Sequence, residues 1–559
     1  MAGTWSSRGE GAIMKLTLWN AAVLSAVLVA CSPPQPPVLT PDPVALQFLD
    51  VSDWHGQLDP LSFGSGTTAY QAGGAAVLSA YFKQDRAANP NTLTVTAGDA
   101  YGASPPLASF FGEQPAVDAM NLMGFDADTF GNHNFDRGIA PLQGLINKAK
   151  FAYVSANLSN LEANLTNVKP YKIFTVGGVK VAVVGITNPE ARELVAPTAL
   201  GSLQITDPVA AAEKARVAAK AEGAQVFVAL THLGVTALDP ATQAPSGPLI
   251  DFASKVTGYD VIFGDHTNVQ YSGTFNKALV VENLSKGATY AKVQLTYDRN
   301  NNTVLTSNNA FVIPRTTAVT PDPAVVAQLA PYRAQLAAQL DTRIGVATDV
   351  FPRASNNERL GEVALGDLVA DAIRARYSTQ LAIVNGGTLR SPLPSSYAPQ
   401  DTTLRRPTPG YQPGPPYDVV AGDVYSVLPF GNTVVTRTVT GTQLYAVLEN
   451  SVSSLPGSNG RFLQISGFSY RYDVSKPVGS RVVSVTLDGG APIAKDMTSY
   501  TLALPDFTNA GGDGYTMLAD GQGTSREQDA QVVLDAIKAQ GTITPNPKLG
   551  QRIQAVTAP

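Results

Sequence analysis

From residue 45 onward the chain alternates short apolar runs with longer segments whose apolar residues return every three or four positions. Runs of strand length fall at 45–51, 92–97, 179–186, 225–230 and 260–263, each closed by a polar or glycine-rich turn. Helix-period segments lie between them, among them 117–123 and the alanine-rich 208–221. That alternation predicts α/β architecture. A proline-marked joint begins near residue 316 and leads into a single predicted helix, 324–340, of the kind that connects domains. Beyond it, a predicted helix over 364–377 places Leu365, Leu368, Val369, Ala372 and Ile373 on one face, a core-facing pattern. Strand-like runs follow at 380–385, 462–470 and 500–504, and the proline-rich stretch 391–418 is expected to be a surface loop. The expected plan is a leader over 1–31, a tether over 32–44, a first domain over 45–315, a linker helix within 316–344 and a second domain over 345–559.

Composition narrows the partners. A length of 559 residues exceeds one compact core. With 44% hydrophobic and 15% charged residues, the chain fits a packed globule rather than a disordered one. A net charge of −5 offers no cationic footprint for a nucleic-acid polymer, although a small phosphate ester remains compatible. The first 13 residues read as an upstream extension. After Met14, Lys15 precedes an apolar stretch over 16–30, which is short of the roughly 20 residues a membrane span needs and reads as an export signal. It ends Leu28-Val29-Ala30-Cys31, which resembles the bacterial lipoprotein box. That resemblance implies cleavage before Cys31, a lipid on its thiol and a membrane-anchored position in the cell envelope. Cys31 is the only cysteine, so no disulfide framework exists. Prolines at 33, 34, 36, 37, 41 and 43 predict an extended polyproline tether. Oligomeric state stays open.

The four histidines are the most informative residues. His55 lies in Asp53-Trp54-His55-Gly56, His133 in Gly131-Asn132-His133-Asn134-Phe135-Asp136, His232 in Thr231-His232-Leu233-Gly234, and His266 in Gly264-Asp265-His266-Thr267-Asn268. Each follows a predicted strand or sits in a tight polar turn, as does Asp99 after Gly98. Ligands of open α/β sheets gather at the carboxyl ends of strands. Imidazole, carboxylate and carboxamide donors without thiolate suit Zn²⁺, Mn²⁺ or a similar divalent ion.

In this order, these motifs resemble the calcineurin-like metallophosphoesterases, and specifically the 5′-nucleotidase family. The resemblance covers nearly all of the chain after residue 44. It implies a four-layer metallophosphoesterase β-sandwich flanked by helices, followed by a smaller α/β substrate-binding domain. It also implies two divalent metal ions. Asp53, His55, Asp99 and Asn268 would hold one, and Asp99, Asn132, His232 and His266 the other, with Asp99 bridging. Two such ions bring four positive charges against two carboxylates, so the centre stays cationic toward phosphate and acidifies a water for in-line attack. His133 has no ligand role in this scheme; with Asp136 fixing its tautomer, it is the catalytic pair. Two positions depart from the family pattern: Asn134 replaces a common glutamate, and Asp265 adds a negative charge before His266.

On the substrate side, Asn385-Gly386-Gly387-Thr388-Leu389-Arg390 resembles the family's Asn-x-Gly-x-x-Arg block, with Gly387 permitting close approach and Arg390 offering a planar fork to phosphate or ribose. Leu428-Pro429-Phe430-Gly431-Asn432, Ser466-Gly467 and the block from Phe507 to Tyr515 match three further blocks. The resemblance gives Phe430 and Phe507 the base and Asp513 the ribose hydroxyls, with Asn385, Asn432 and Gly467 alongside. Gly361 stands where relatives carry an arginine before Glu362, and Arg359 is the residue nearest to replace it. The expected activity is extracytoplasmic hydrolysis of 5′-nucleotides, a small-molecule substrate. The alternatives are 2′,3′-cyclic-nucleotide phosphodiesterase with 3′-nucleotidase action, nucleotide-sugar hydrolysis, a sulfur-compound hydrolase on the same scaffold, or a surface nucleotide-binding protein without turnover.

Overall fold

The computed structural model describes residues 40–63, 69–195, 198–239, 241–353 and 356–556. The expected export signal, Cys31 and the tether up to residue 39 lie outside them. The first strand, β1 (Pro43–Asp50), begins inside the expected tether. Among the described residues, no helix is long and apolar enough to cross a membrane.

Two sheets form the N-terminal half. In the first, β1 runs parallel to β2 (Thr92–Thr96), which continues to β3 (Ala127–Asp128) and β4 (Ala152–Val154). In the second, β5 (Val179–Ile186), β6 (Val226–Thr231), β7 (Val261–Gly264) and β8 (Ala278–Glu282) are parallel neighbours. The chain then returns to the first sheet as β9 (Tyr290–Asp298), antiparallel to β1, with β10 (Thr303–Val312) on its far edge.

The strands read as continuous apolar runs because both faces are covered. Along β1, Leu46 and Phe48 enter the core between the sheets while Leu49 faces helices. Along β5, Val181 and Val183 point inward, and Ala182, Val184 and Ile186 pack under Ala212, Ala215 and Ala219 of the helix Pro208–Ala221. Period two thus separates two apolar faces. The result is helix, sheet, sheet, helix, as expected. The helix Pro323–Leu340 buries Val325, Leu329, Leu336 and Leu340 in the core on the outer face of the first sheet, so it is docked along its length.

The C-terminal half has its own sheets. Its central one contains β11 (Leu381–Asn385), β12 (Thr433–Thr440), β13 (Leu463–Ser466) and β15 (Ser499–Pro505). Two expectations need correction here. The run 462–470 is not one strand: it breaks at Gly467, where the chain leaves the central sheet and enters a different one as β14 (Phe468–Tyr472). Gly467 has φ +90°, and a Cβ there would lie 2.0 Å from the Gln380 carbonyl oxygen. Its glycine is required by that corner. The stretch 391–418 is also not simply a surface loop. Arg406, fully buried within it, meets Asp423 at 2.5 and 2.7 Å and donates to the carbonyls of Ser395, Tyr397 and Asp418.

Removing one partner of a buried ion pair strands the other charge and typically costs about 3–5 kcal/mol. Asp423→Ala is therefore expected to lower stability by roughly that amount, measured by urea denaturation. A loss no larger than that of an exposed pair would show that the loop is not anchored through Arg406.

Candidate active site

The parallel strands of both sheets deliver their carboxyl ends to one edge. Asp53 and His55 follow β1, Asp99 follows β2, Asn132 and His133 follow β3, His232 follows β6, and His266 and Asn268 follow β7. Asp53, His55, Asp99, His266 and Asn268 all have positive φ, between 39° and 83°. Non-glycine residues enter that region only when surrounding structure holds them there. The holding bonds are visible. The backbone N–H of His55 donates to the Asp99 carbonyl at 2.9 Å, and that of His133 to Asp99 Oδ1 at 2.8 Å. Asn134, the departure from the glutamate pattern, accepts from the backbone N–H of Asp99 and of Gly131. Glu282 braces the other side by accepting from Val235 N–H, Val269 N–H and the Thr267 hydroxyl. Gly131 is a close approach: a Cβ there would lie 2.2 Å from Asp99 Oδ1.

Asp53, His55, Asp99 and His232 are buried. Nε2 of His232 lies 3.2 Å from Asp99 Oδ2 and 3.1 Å from Nδ1 of His266. Asp53 Oδ1 lies 3.8 Å from His55 Nε2 and 4.0 Å from His232 Nε2. The outer nitrogens are spoken for: Nδ1 of His55 is 2.8 Å from the Gly102 carbonyl and Nδ1 of His232 is 3.1 Å from that of Ala97. Those bonds leave both Nε2 atoms directed inward. Burial, with His232 nearby, lowers His266 to about 3, so it is neutral and can donate its lone pair at neutral pH. Burial and Arg390 hold His55 well below its usual range. For His232, burial is outweighed by Asp99 and Asp265, which hold it well above. Asn132 Oδ1 and Asn268 Oδ1 are buried with no hydrogen-bond partner among the described residues. Orphaned carboxamide oxygens beside convergent imidazoles and carboxylates fit divalent ions. Three ligand-type groupings form among the described residues: Asp53 with His55 and Asp99, Asp99 with His232 and His266, and Asp53 with His232 and Asp265.

A cavity of about 650 Å³ opens over this centre. Asn132, His133, Asp136, His266 and Asn268 line it from the N-terminal half. Asn385, Gly387, Arg390, Phe430, Asn432, Phe507 and Asp513 line it from the C-terminal half. His133 Nδ1 lies 3.0 Å from Asp136 Oδ2, and the Phe430 ring stacks on the His133 ring at 5.6 Å and 24°. Arg390 Nη2 is 3.3 Å from His55 Nε2, and Lys286 Nζ donates to the Arg390 carbonyl at 3.0 Å. Asn385 Nδ2 donates to Asp513 Oδ2 at 2.7 Å. A Cβ on Gly512 would meet the Phe507 ring at 2.4 Å, so the ring lies flat on that glycine.

Gly467 is not brought to the cavity; it serves the sheet corner described above. Arg359 does line the cavity, although Gly361 precedes Glu362. Glu190, Leu194 and Val195 also line it, and the sequence reading missed them. They lie just beyond β5, so the strand-end rule applied to that run would have found them.

Sheets covered by helices, ending in a carboxylate, imidazole and carboxamide centre, define a metallophosphoesterase fold with an added C-terminal half. Residues 343–520 match the model of the 5′-nucleotidase C-terminal domain. A snake venom 5′-nucleotidase of Naja atra is 29% identical over 89% of this chain and 97% of its own length. An endonuclease of Bacillus subtilis is 28% identical over 83% of this chain, which spans only 37% of that longer protein. The crystal structure of a 5′-nucleotidase precursor from Thermus thermophilus superposes with a TM-score of 0.79 at 26% identity, covering 92% of this chain and 100% of that one. Over most of its length the chain is therefore similar to 5′-nucleotidases.

Asp99 belongs to two of the three groupings, so Asp99→Asn removes a charge from both at once. Metal content after dialysis, read by elemental analysis, is expected to fall sharply. Retention of wild-type metal content would remove Asp99 from the ligand set.

Proposed function

We propose that this protein hydrolyses 5′-nucleotides to nucleoside and phosphate at a two-metal centre, as a lipid-anchored enzyme outside the cytoplasm. One observation carries the reading: a single cavity joins the buried ligand cluster to two phenylalanines and a buried aspartate from the other half. Asp53, His55, Asp99 and Asn268 would hold one ion, and Asp99, Asn132, His232 and His266 the other; Zn²⁺ and Mn²⁺ both suit the donors. Bound divalent ions supply Lewis acidity and an activated water.

The chain's own residues do the rest. Phe430 and Phe507 offer faces to a base, and Asp513, oriented by Asn385, accepts from ribose hydroxyls. Arg390 and Arg359 place positive charge near the phosphate oxygens. Hydrolysis breaks the bond between phosphorus and O5′ and joins a water oxygen to phosphorus. His133, its ring held by Asp136, donates a proton to the departing O5′ or balances charge on the phosphoryl group. The leader with Cys31 supports export and lipid attachment.

Because Phe430 rests on His133, its removal would disturb base binding and catalysis together, whereas Phe507 isolates base binding. Base–aromatic stacking contributes ~1–3 kcal/mol, so Phe507→Ala is expected to lower kcat/KM for a 5′-nucleotide by roughly 5- to 150-fold. It should change hydrolysis of p-nitrophenyl phosphate much less. His133→Ala is expected to lower turnover on both substrates by about 10²–10⁴ with metal retained. Equal losses on both esters in Phe507→Ala would contradict base recognition.

A further inference from the structure

Asp265 lies between the end of β7 and His266, at a position for which the family resemblance supplies no ligand. It is fully buried. Its Oδ2 accepts the backbone N–H of Asp53 at 3.1 Å, and its Oδ1 accepts that of His266 at 3.0 Å. The same His266 N–H also reaches Asp53 Oδ2 at 2.9 Å. Oδ2 of Asp265 lies 3.7 Å from Nδ1 of His232, the ring nitrogen opposite the one that faces Asp99. That contact with His232 is the only ion pair Asp265 makes among the described residues. Asp53, His232 and Asp265 each place a ligand-type atom within 4.8 Å of the others.

A turn does not need a carboxylate, and a buried carboxylate without a strong cationic partner is costly. Here the carboxylate links the turn after β1 to the turn after β7, so it couples the two sheets at the point where their ligands meet. It also stands behind a ligating imidazole, the place from which outer partners set ring orientation and basicity. Two divalent ions would bring four positive charges; Asp53 and Asp99 return two negative ones, and Asp265 a third. The centre stays cationic toward phosphate while holding its ions more firmly.

We propose that Asp265 is a positioning residue of the metal centre, tying the Asp53 turn to the His266 turn and backing His232, so that this chain holds divalent ions more tightly than the ligands alone would. The inference rests on the two-metal reading above.

The test uses the full chain with Mn²⁺ alone as probe, in competition with a chromophoric chelator. Asp265→Asn keeps an acceptor for the Asp53 N–H and removes the charge; Asp265→Ala removes both. Loss of such outer partners typically weakens metal affinity 10- to 100-fold, and Asp265→Asn is expected to raise the Mn²⁺ dissociation constant by about that factor, with a larger effect in Asp265→Ala. The thermal midpoint of the chelator-stripped Asn variant should match wild type, while its Mn²⁺-loaded midpoint falls. Unchanged affinity in Asp265→Asn, alongside metal loss in Asp99→Asn, overturns the proposal and leaves the two-metal reading standing. Unchanged affinity in both variants overturns that reading too. An equal drop in stripped and loaded midpoints would assign Asp265 to packing and also overturn the proposal. If Asp265→Ala does not fold, the Asn variant decides.

Discussion

Nε2 of His232 and Nδ1 of His266 face each other at 3.1 Å, with a carboxylate oxygen of Asp99 3.2 Å from the first. Electron pairs held that close in a buried place repel unless something electropositive lies among them, and a proton or a divalent ion can serve. Much of the N-terminal half follows from keeping them there. Two separate sheets must end at one edge, five non-glycine residues must take left-handed backbone, and Gly131 must leave room for Asp99. Backbone strain of this kind persists where surrounding bonds over-determine it. The bonds from Asn134, Glu282 and the Asp99 carbonyl do so here.

The same edge explains why the second half is needed. The metal-type centre contains nothing that could distinguish one phosphate ester from another, because it addresses phosphorus and its oxygens. On the proposed function, discrimination would come from Phe507, Asp513 and Asn385, which line the cavity from a separate set of sheets. At the cavity the halves meet directly: Arg390 approaches His55, Lys286 reaches the Arg390 carbonyl, and the Phe430 ring stacks on that of His133. On the proposed function, chemistry and recognition would therefore be coupled side chain to side chain.

What could be read from the sequence follows the same physics. The strand Val179–Ile186 and the helices Pro208–Ala221 and Ala364–Tyr377 fall where periodicity placed them, because covered strands and amphipathic helices leave patterns in apolar spacing. The run 462–470 misled because both flanks are apolar and a single glycine makes the corner. The stretch 391–418 misled because its proline content says nothing of Arg406, whose partner Asp423 lies in the following helix. Candidate ligands were legible because few residue types can serve, and they sit in recognisable turns. Their supports were not: Glu282 and Asn134 act by accepting backbone N–H groups, a role with no sequence signature.

The proposed function sets one nucleotide pocket over a two-ion centre. It is tested most directly by stripping the purified protein with a chelator and titrating Mn²⁺ or Zn²⁺ back, while phosphate release is followed from a panel of 5′-nucleotides, other nucleotides and base-free esters. Two ions are expected to bind per chain, release to return in step with the second, and 5′-nucleotides to be favoured over base-free esters. Phosphate release that persists without metal, or that shows no preference for a base, would contradict it.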